Sequence, residues 1–143
     1  MLKDFRPMLK APLKPAFSAD HIERLCAKGE VSRAIRLLKQ HGERLQDWAA
    51  VLEGGMRQLR YSRREGELLS IIFNHRPPCP FSVPDLLRAL ISYEDIPGFL
   101  KNAHRLGVYR GFETEIEAGI QWLIDHRQDA SAAAYRRKFA NFV

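Results

Sequence analysis

Arg76-Pro77-Pro78-Cys79-Pro80-Phe81-Ser82-Val83-Pro84 is the stretch on which the reading of this chain turns. Proline has no N–H and fixes φ, so neither a helix nor a central strand runs through it. On both sides the apolar residues return to helical spacing. Pro77 and Pro78 end one helix; Ser82 begins the next as its cap, with Pro84 in the first turn and Asp85 as an early acid. The flanking helices are too short to form two separate cores, so the stretch reads as a rigid loop inside one domain. Cys79 and Phe81 are expected to turn inward.

Upstream, Ser62-Arg63-Arg64-Glu65 fits a capping box, with glutamate three positions after the cap. The helix it opens carries Leu68, Leu69, Ile71, Ile72 and Phe73 and reads as the most buried element. Before it, Leu45 to Leu59 forms a helix capped near Asp47 that buries Trp48, Val51, Leu52, Met56 and Leu59. Gly54-Gly55 inside it costs on the order of 1 kcal/mol per glycine relative to alanine. A close helix–helix approach is the expected compensation, a kink the other.

Further upstream, Ser18 or Asp20 caps a helix from His21 to about Lys28 with Ile22, Leu25 and Cys26 on one face. Gly29 stops it. A second helix, about Val31 to Gln40, spaces Val31, Ala34, Ile35, Leu37 and Leu38 helically. Residues 1–17 mix apolar and basic side chains, but Pro7, Pro12 and Pro15 forbid a long helix, so an extended arm is expected. Downstream of the proline stretch a helix runs to about Ser92 and another over about Asp95 to Leu106. A third covers about Thr114 to Arg127, and an alanine-rich tail favours a short terminal helix.

The chain is thus expected to be all-α: about seven helices as stacked antiparallel helix hairpins, a short α-solenoid-like bundle over residues 18–143, behind an extended N-terminal arm. Hairpins begin near Ser18, Asp47, Ser82 and Thr114, a spacing of roughly 30 to 35 residues. Leu25-Cys26-Ala27-Lys28-Gly29-Glu30-Val31-Ser32-Arg33-Ala34-Ile35-Arg36-Leu37-Leu38 resembles the turn of a tetratricopeptide or pentatricopeptide repeat. There a glycine turn joins two helices and a small residue, here Ala34, sits at their crossing. The resemblance implies a surface for binding protein or single-stranded RNA.

The 143 residues carry a net charge of +6, with 45% apolar and 28% charged residues, which suits a packed domain with acidic partners rather than a disordered chain. Cys26 and Cys79 are far apart in sequence, which points to neither a disulfide framework nor a zinc site and makes a cytoplasmic location the expectation. No apolar run approaches the roughly 18 residues of a membrane span. No histidines stand four apart, no glycine-rich phosphate loop follows Gly54-Gly55, and no serine lies in a nucleophile elbow, so no enzyme, metal or cofactor is expected.

The expected function is a non-enzymatic, chaperone-like adaptor that binds another protein. Arg24, Lys28, Arg33, Arg36 and Lys39 on the first hairpin, with Tyr109 and Phe112 on a late loop, are the candidate contacts. Self-association through Phe5, Met8 and Leu9 is a lesser expectation. The alternative is nucleic-acid binding, either by RNA-binding helical repeats or by a transcription regulator. For the latter, Tyr61 to Thr114 looks in outline like a winged helix-turn-helix, with Lys101, Asn102 and Arg105 facing the groove. Against it stand Glu94 and Asp95 where phosphate would approach, and a short wing ending in Glu113, Glu115 and Glu117.

Overall fold

In a computed structural model the chain is described over residues 18–142. The arm, residues 1–17, lies outside the described residues, as do its candidate contacts Phe5, Met8 and Leu9. Among the described residues eight α-helices follow one another: α1 (Ala19–Ala27), α2 (Val31–Gln40), α3 (Ala49–Tyr61), α4 (Glu65–His75), α5 (Val83–Ser92), α6 (Ile96–Arg105), α7 (Glu113–Asp125) and α8 (Asp129–Ala140). There is no strand among the described residues.

The helix starts follow their local chemistry. Ser18 Oγ accepts from the His21 N–H at 3.1 Å, Ser82 Oγ from the Asp85 N–H at 3.2 Å, and Asp95 Oδ1 from the Gly98 N–H at 3.1 Å. Each satisfies a donor that the first turn leaves without a partner. The helix expected over Leu45 to Leu59 is instead split: Leu45–Trp48 is a 3-10 turn, and α3 starts after it. Asp47 caps nothing and pairs with Arg44 at 3.5 Å, while Trp48 is half-buried and donates to Glu43 at 3.0 Å.

The capping box at Ser62 does not form either. Ser62 closes α3, its N–H donating to the Gln58 carbonyl at 3.0 Å, and α4 begins only at Glu65. The glutamate is drawn elsewhere. Its carboxylate is fully buried, accepting from Arg60 at 2.6 Å and from the Tyr93 hydroxyl at 3.0 Å.

That displaced start belongs to a pattern. Three residues separate the two helices of every hairpin, and the middle one is left-handed each time: Gly29 (φ +76°), Arg63 (+58°), Glu94 (+61°) and Arg127 (+63°). The same two bonds close each turn. In the first, Gly29 N–H donates to Cys26 C=O and Glu30 N–H to Leu25 C=O, both at 2.9 Å. Leu59, Leu90 and Leu123 accept the corresponding bonds from Arg64, Asp95 and Gln128. All four leucines are buried, as are Ile22, Met56, Leu87 and Ile120 one turn before them. The left-handed positions lie 34, 31 and 33 residues apart. Four hairpins closed by the same turn geometry therefore build the body.

Each hairpin packs on the next through its second helix. The even-numbered helices form a continuous layer, α2 on α4, α4 on α6, and α6 on α8. Among the odd helices α1 packs on α3, but α3 does not pack on α5, nor α5 on α7. The proline loop occupies the first of these gaps: Pro77 is buried, and the Phe81 ring lies 5.6 Å from the Arg57 guanidinium and 5.8 Å from that of Arg60, both on α3. Cys79 and Phe81 are half-buried against the core, as expected. Arg76 takes φ +48°, which turns the chain out of α4 before Pro77 would break it.

Gly55 explains how α1 and α3 come so close. A methyl group there would lie 2.6 Å from Val31 Cγ2 and 3.2 Å from Cys26 Cα, so only glycine fits. The close-approach reading of Gly54-Gly55 is thus right for Gly55, while Gly54 faces open space. Helix α4 is central, packing on α2, α3, α5 and α6, though Phe73 at its end is 41% exposed.

A basic face across the even-numbered helices

Charge is distributed unequally between the two layers. Helices α2 and α6 contain no acidic residue; they carry Arg33, Arg36 and Lys39, and Lys101 and Arg105. In α4 both acids are engaged, Glu65 as above and Glu67 by Arg64 at 2.6 Å. Helix α8 has Arg136, Arg137 and Lys138 against Asp129. By contrast α7, in the odd layer, has Glu113, Glu115, Glu117 and Asp125 and no base.

The first-hairpin candidates fall into two groups. Arg24 and Lys28 are exposed at the end of α1, in the odd layer. Arg33, Arg36 and Lys39 are exposed on α2, with Arg33 held by Glu30 at 3.2 Å. Arg36 and Lys39 come together at the end of α4. Lys39 Nζ donates to His75 Nδ1 at 2.9 Å, which requires the imidazole to keep its proton on Nε2. Burial, then the charges of Lys39 and Arg36, hold His75 below its ordinary pKa. No carboxylate among the described residues pairs with Arg36, Lys39 or Arg76.

On its other side the end of α4 meets the end of α6 at an open cleft of about 280 Å³, lined by Ile72, Phe73, Arg76, Arg105 and Leu106. Arg105 is fixed there: Asn102 Oδ1 accepts from its Nε at 3.0 Å and its Nη2 at 2.8 Å, and Nη2 also donates to Ser70 Oγ. Its guanidinium stands 5.0 Å from the centre of the Phe73 ring.

The same contacts correct two sets of expected site residues. Asn102 is buried, its side-chain amide donating to the Gly98 carbonyl at 2.8 Å, so it does not face a groove. Arg105 ties α6 to α4, and of the three residues assigned to base readout only Lys101 is exposed. The wing is missing too, since residues 107–112 form turns and irregular chain with no strand among them. Phe112 is not a surface contact: it is 2% exposed, packed 5.8 Å from the Phe99 ring and under the Arg88 guanidinium. Tyr109 is half-buried between Phe139 and Phe142 of the terminal segment. Phe112 is claimed by α5 and α6, and Tyr109 by Phe142 and by α8, an element whose contacts the alanine-rich tail gave no means of placing.

Phe73, His75 and Arg76 were missed as site residues. The clue available was that Phe73 is one apolar residue too many for a helix face already filled by Leu68, Leu69 and Ile71.

An apolar groove of about 460 Å³ also runs between α1 and α3, floored by Cys26 and Gly55. Burial raises the Cys26 thiol to about 11 and pushes Cys79 up as well, so neither is a thiolate at neutral pH. Among the described residues no three His, Cys, Asp or Glu side chains converge on a metal position, and no helix is long and apolar enough to cross a membrane. No protein-family model, no curated protein and no solved structure matches the chain.

Proposed function

We propose that this chain is a non-enzymatic helical adaptor that holds a segment of another protein against its even-numbered layer. The observation that carries the reading is the face across α2, α4 and α6, where Arg36 and Lys39 stand exposed with no carboxylate partner among the described residues, beside the exposed Phe73 ring. Stacks of hairpins use their extended surfaces for binding, and a layer with unbalanced charge attracts the opposite sign over several ångströms of solvent. The resemblance to tetratricopeptide-type repeats fits the same picture, as does the spacing of the four turns. A chaperone-like role, cytoplasmic residence and self-association are compatible extensions of it.

The test is capture by the tagged full-length chain from nuclease-treated lysate, compared with the Arg36→Glu/Lys39→Glu variant. The reading expects a defined protein that the wild type retains and the variant loses. Capture that disappears on nuclease treatment would favour RNA-binding helical repeats instead.

A further inference from the structure

We infer that the cleft between the C-terminal ends of α4 and α6, with the basic rim of α2 beside it, seats a short acidic segment of a partner protein that carries an apolar anchor. Its carboxylates meet Arg36, Lys39 and Arg76, and its anchor enters between Phe73 and Leu106. This deepens the adaptor reading and rests on it.

Three features select that occupant. First, the cations are uncompensated among the described residues: Arg36 and Lys39 crowd His75 from α2, and no carboxylate of those residues pairs with either. Anionic groups are what such a rim lacks. Second, the adjoining cleft sets Ile72, Phe73 and Leu106 beside the guanidinium groups of Arg76 and Arg105, so it takes an apolar side chain flanked by an anionic one, while Arg105, anchored by Asn102 and Ser70, stands against the Phe73 ring. Third, the dimensions are those of a short segment. Packed helices lie roughly 8–10 Å apart, so α2 to α6 spans about 16–20 Å. An extended chain covers that in about five or six residues at ~3.3 Å each. Single-stranded RNA fits less well, because tracking a strand takes successive stacking platforms and Phe73 is the one aromatic exposed among the described residues of α2, α4 and α6.

The experiment measures fluorescence anisotropy of three labelled probes with the full-length chain. They are a peptide of about twelve residues alternating glutamate and leucine, the same peptide with serine for leucine, and an oligouridylate of equal length, each in about 50 mM and about 200 mM salt. The glutamate–leucine peptide is expected to bind most tightly and to weaken with salt. The serine version should bind about tenfold more weakly, and Phe73→Ser should cost the leucine peptide a similar factor. Arg36→Glu/Lys39→Glu/Arg76→Glu should lose at least about tenfold, whereas Arg127→Glu in the exposed α7–α8 turn should stay within about twofold.

Equal binding of the two peptides, indifference to the triple charge reversal, or an oligouridylate that outcompetes the leucine peptide would each overturn the proposal. A protein partner captured from lysate that survives the triple reversal would refute this site and leave the adaptor standing. Failure to capture any protein would remove the adaptor itself.

Discussion

Replacing Gly55 with alanine tests how α1 and α3 are held together. The added methyl would meet Val31 Cγ2 at 2.6 Å, Cys26 Cβ at 3.1 Å and Cys26 Cα at 3.2 Å. Valine is stiff at χ1 and Cα belongs to the backbone, so neither rotates away and α1 has to retreat from α3. Overpacking of this kind costs about 1–3 kcal/mol, against which alanine returns about 1 kcal/mol of helix propensity. Gly54 is the internal control: a methyl there meets nothing within 4 Å, so only the propensity gain remains. Gly54→Ala should therefore stabilise by about 1 kcal/mol and Gly55→Ala destabilise by up to about 2 kcal/mol. In thermal unfolding the pair should melt roughly 5–10 °C apart. Urea titration gives the same ordering at constant slope if both remain two-state. Equal stabilisation by both substitutions would show that the helices are not in contact at Gly55.

Three more outcomes follow from the turns and the buried pair. Glu94→Gly and Arg127→Gly relieve a left-handed residue that has a Cβ, and each should raise stability by about 0.5–1 kcal/mol in urea unfolding; a loss would mean that the side chain matters more than φ. Glu65→Ala strips Arg60 and Tyr93 of their acceptor and should cost about 2–3 kcal/mol, with Tyr93→Phe costing about 1 kcal/mol; additivity in the double variant would contradict the shared carboxylate. His75 has a folded pKa below its unfolded value of about 6.5, so the folded state binds fewer protons and its contribution is complete above that value. That contribution is lost as pH falls through the folded pKa. Urea stability measured between about pH 7 and about pH 5 should decline less steeply for His75→Gln than for wild type, and an unchanged slope would refute the assignment.

Helix periodicity was legible wherever apolar residues repeat on one face, and Ser82 and Ser18 (the latter with Asp20 as the other candidate) announced their helices as caps, whereas Asp95, expected inside its helix, caps it instead. The shared geometry of the four turns was hidden for a specific reason. Glycine signals a left-handed turn residue, but only Gly29 of the four hairpin turns has one; Arg63, Glu94 and Arg127 do the same with side chains that sequence reasoning assigns elsewhere. Aligning Leu25, Leu59, Leu90 and Leu123 would have exposed the register. Ser62 misled because a local capping pattern lost to a long-range demand: Glu65 was needed by Arg60 and by Tyr93, 28 residues further on. The basic character of α2 was readable directly. Its meeting with His75 across 36 residues, and the burial of Asn102 and Phe112, depend on which helix end lies beside which, and periodicity carries no information about that.

The gap between α3 and α5, filled by the proline loop, leaves α4 to hold the middle of the stack together, since it packs on both α5 and α6 with Phe81 beneath two arginines beside it. The last hairpin has no such double grip: α7 and α8 pack on the rest through α6 alone, because α5 does not reach α7. The stack therefore opens most easily between its third and fourth hairpins, and amide exchange would register α7 and α8 as the pair of lower persistence. A segment laid from α2 across α4 to α6 would act as a splint over the first three hairpins and leave the last pair to open on its own.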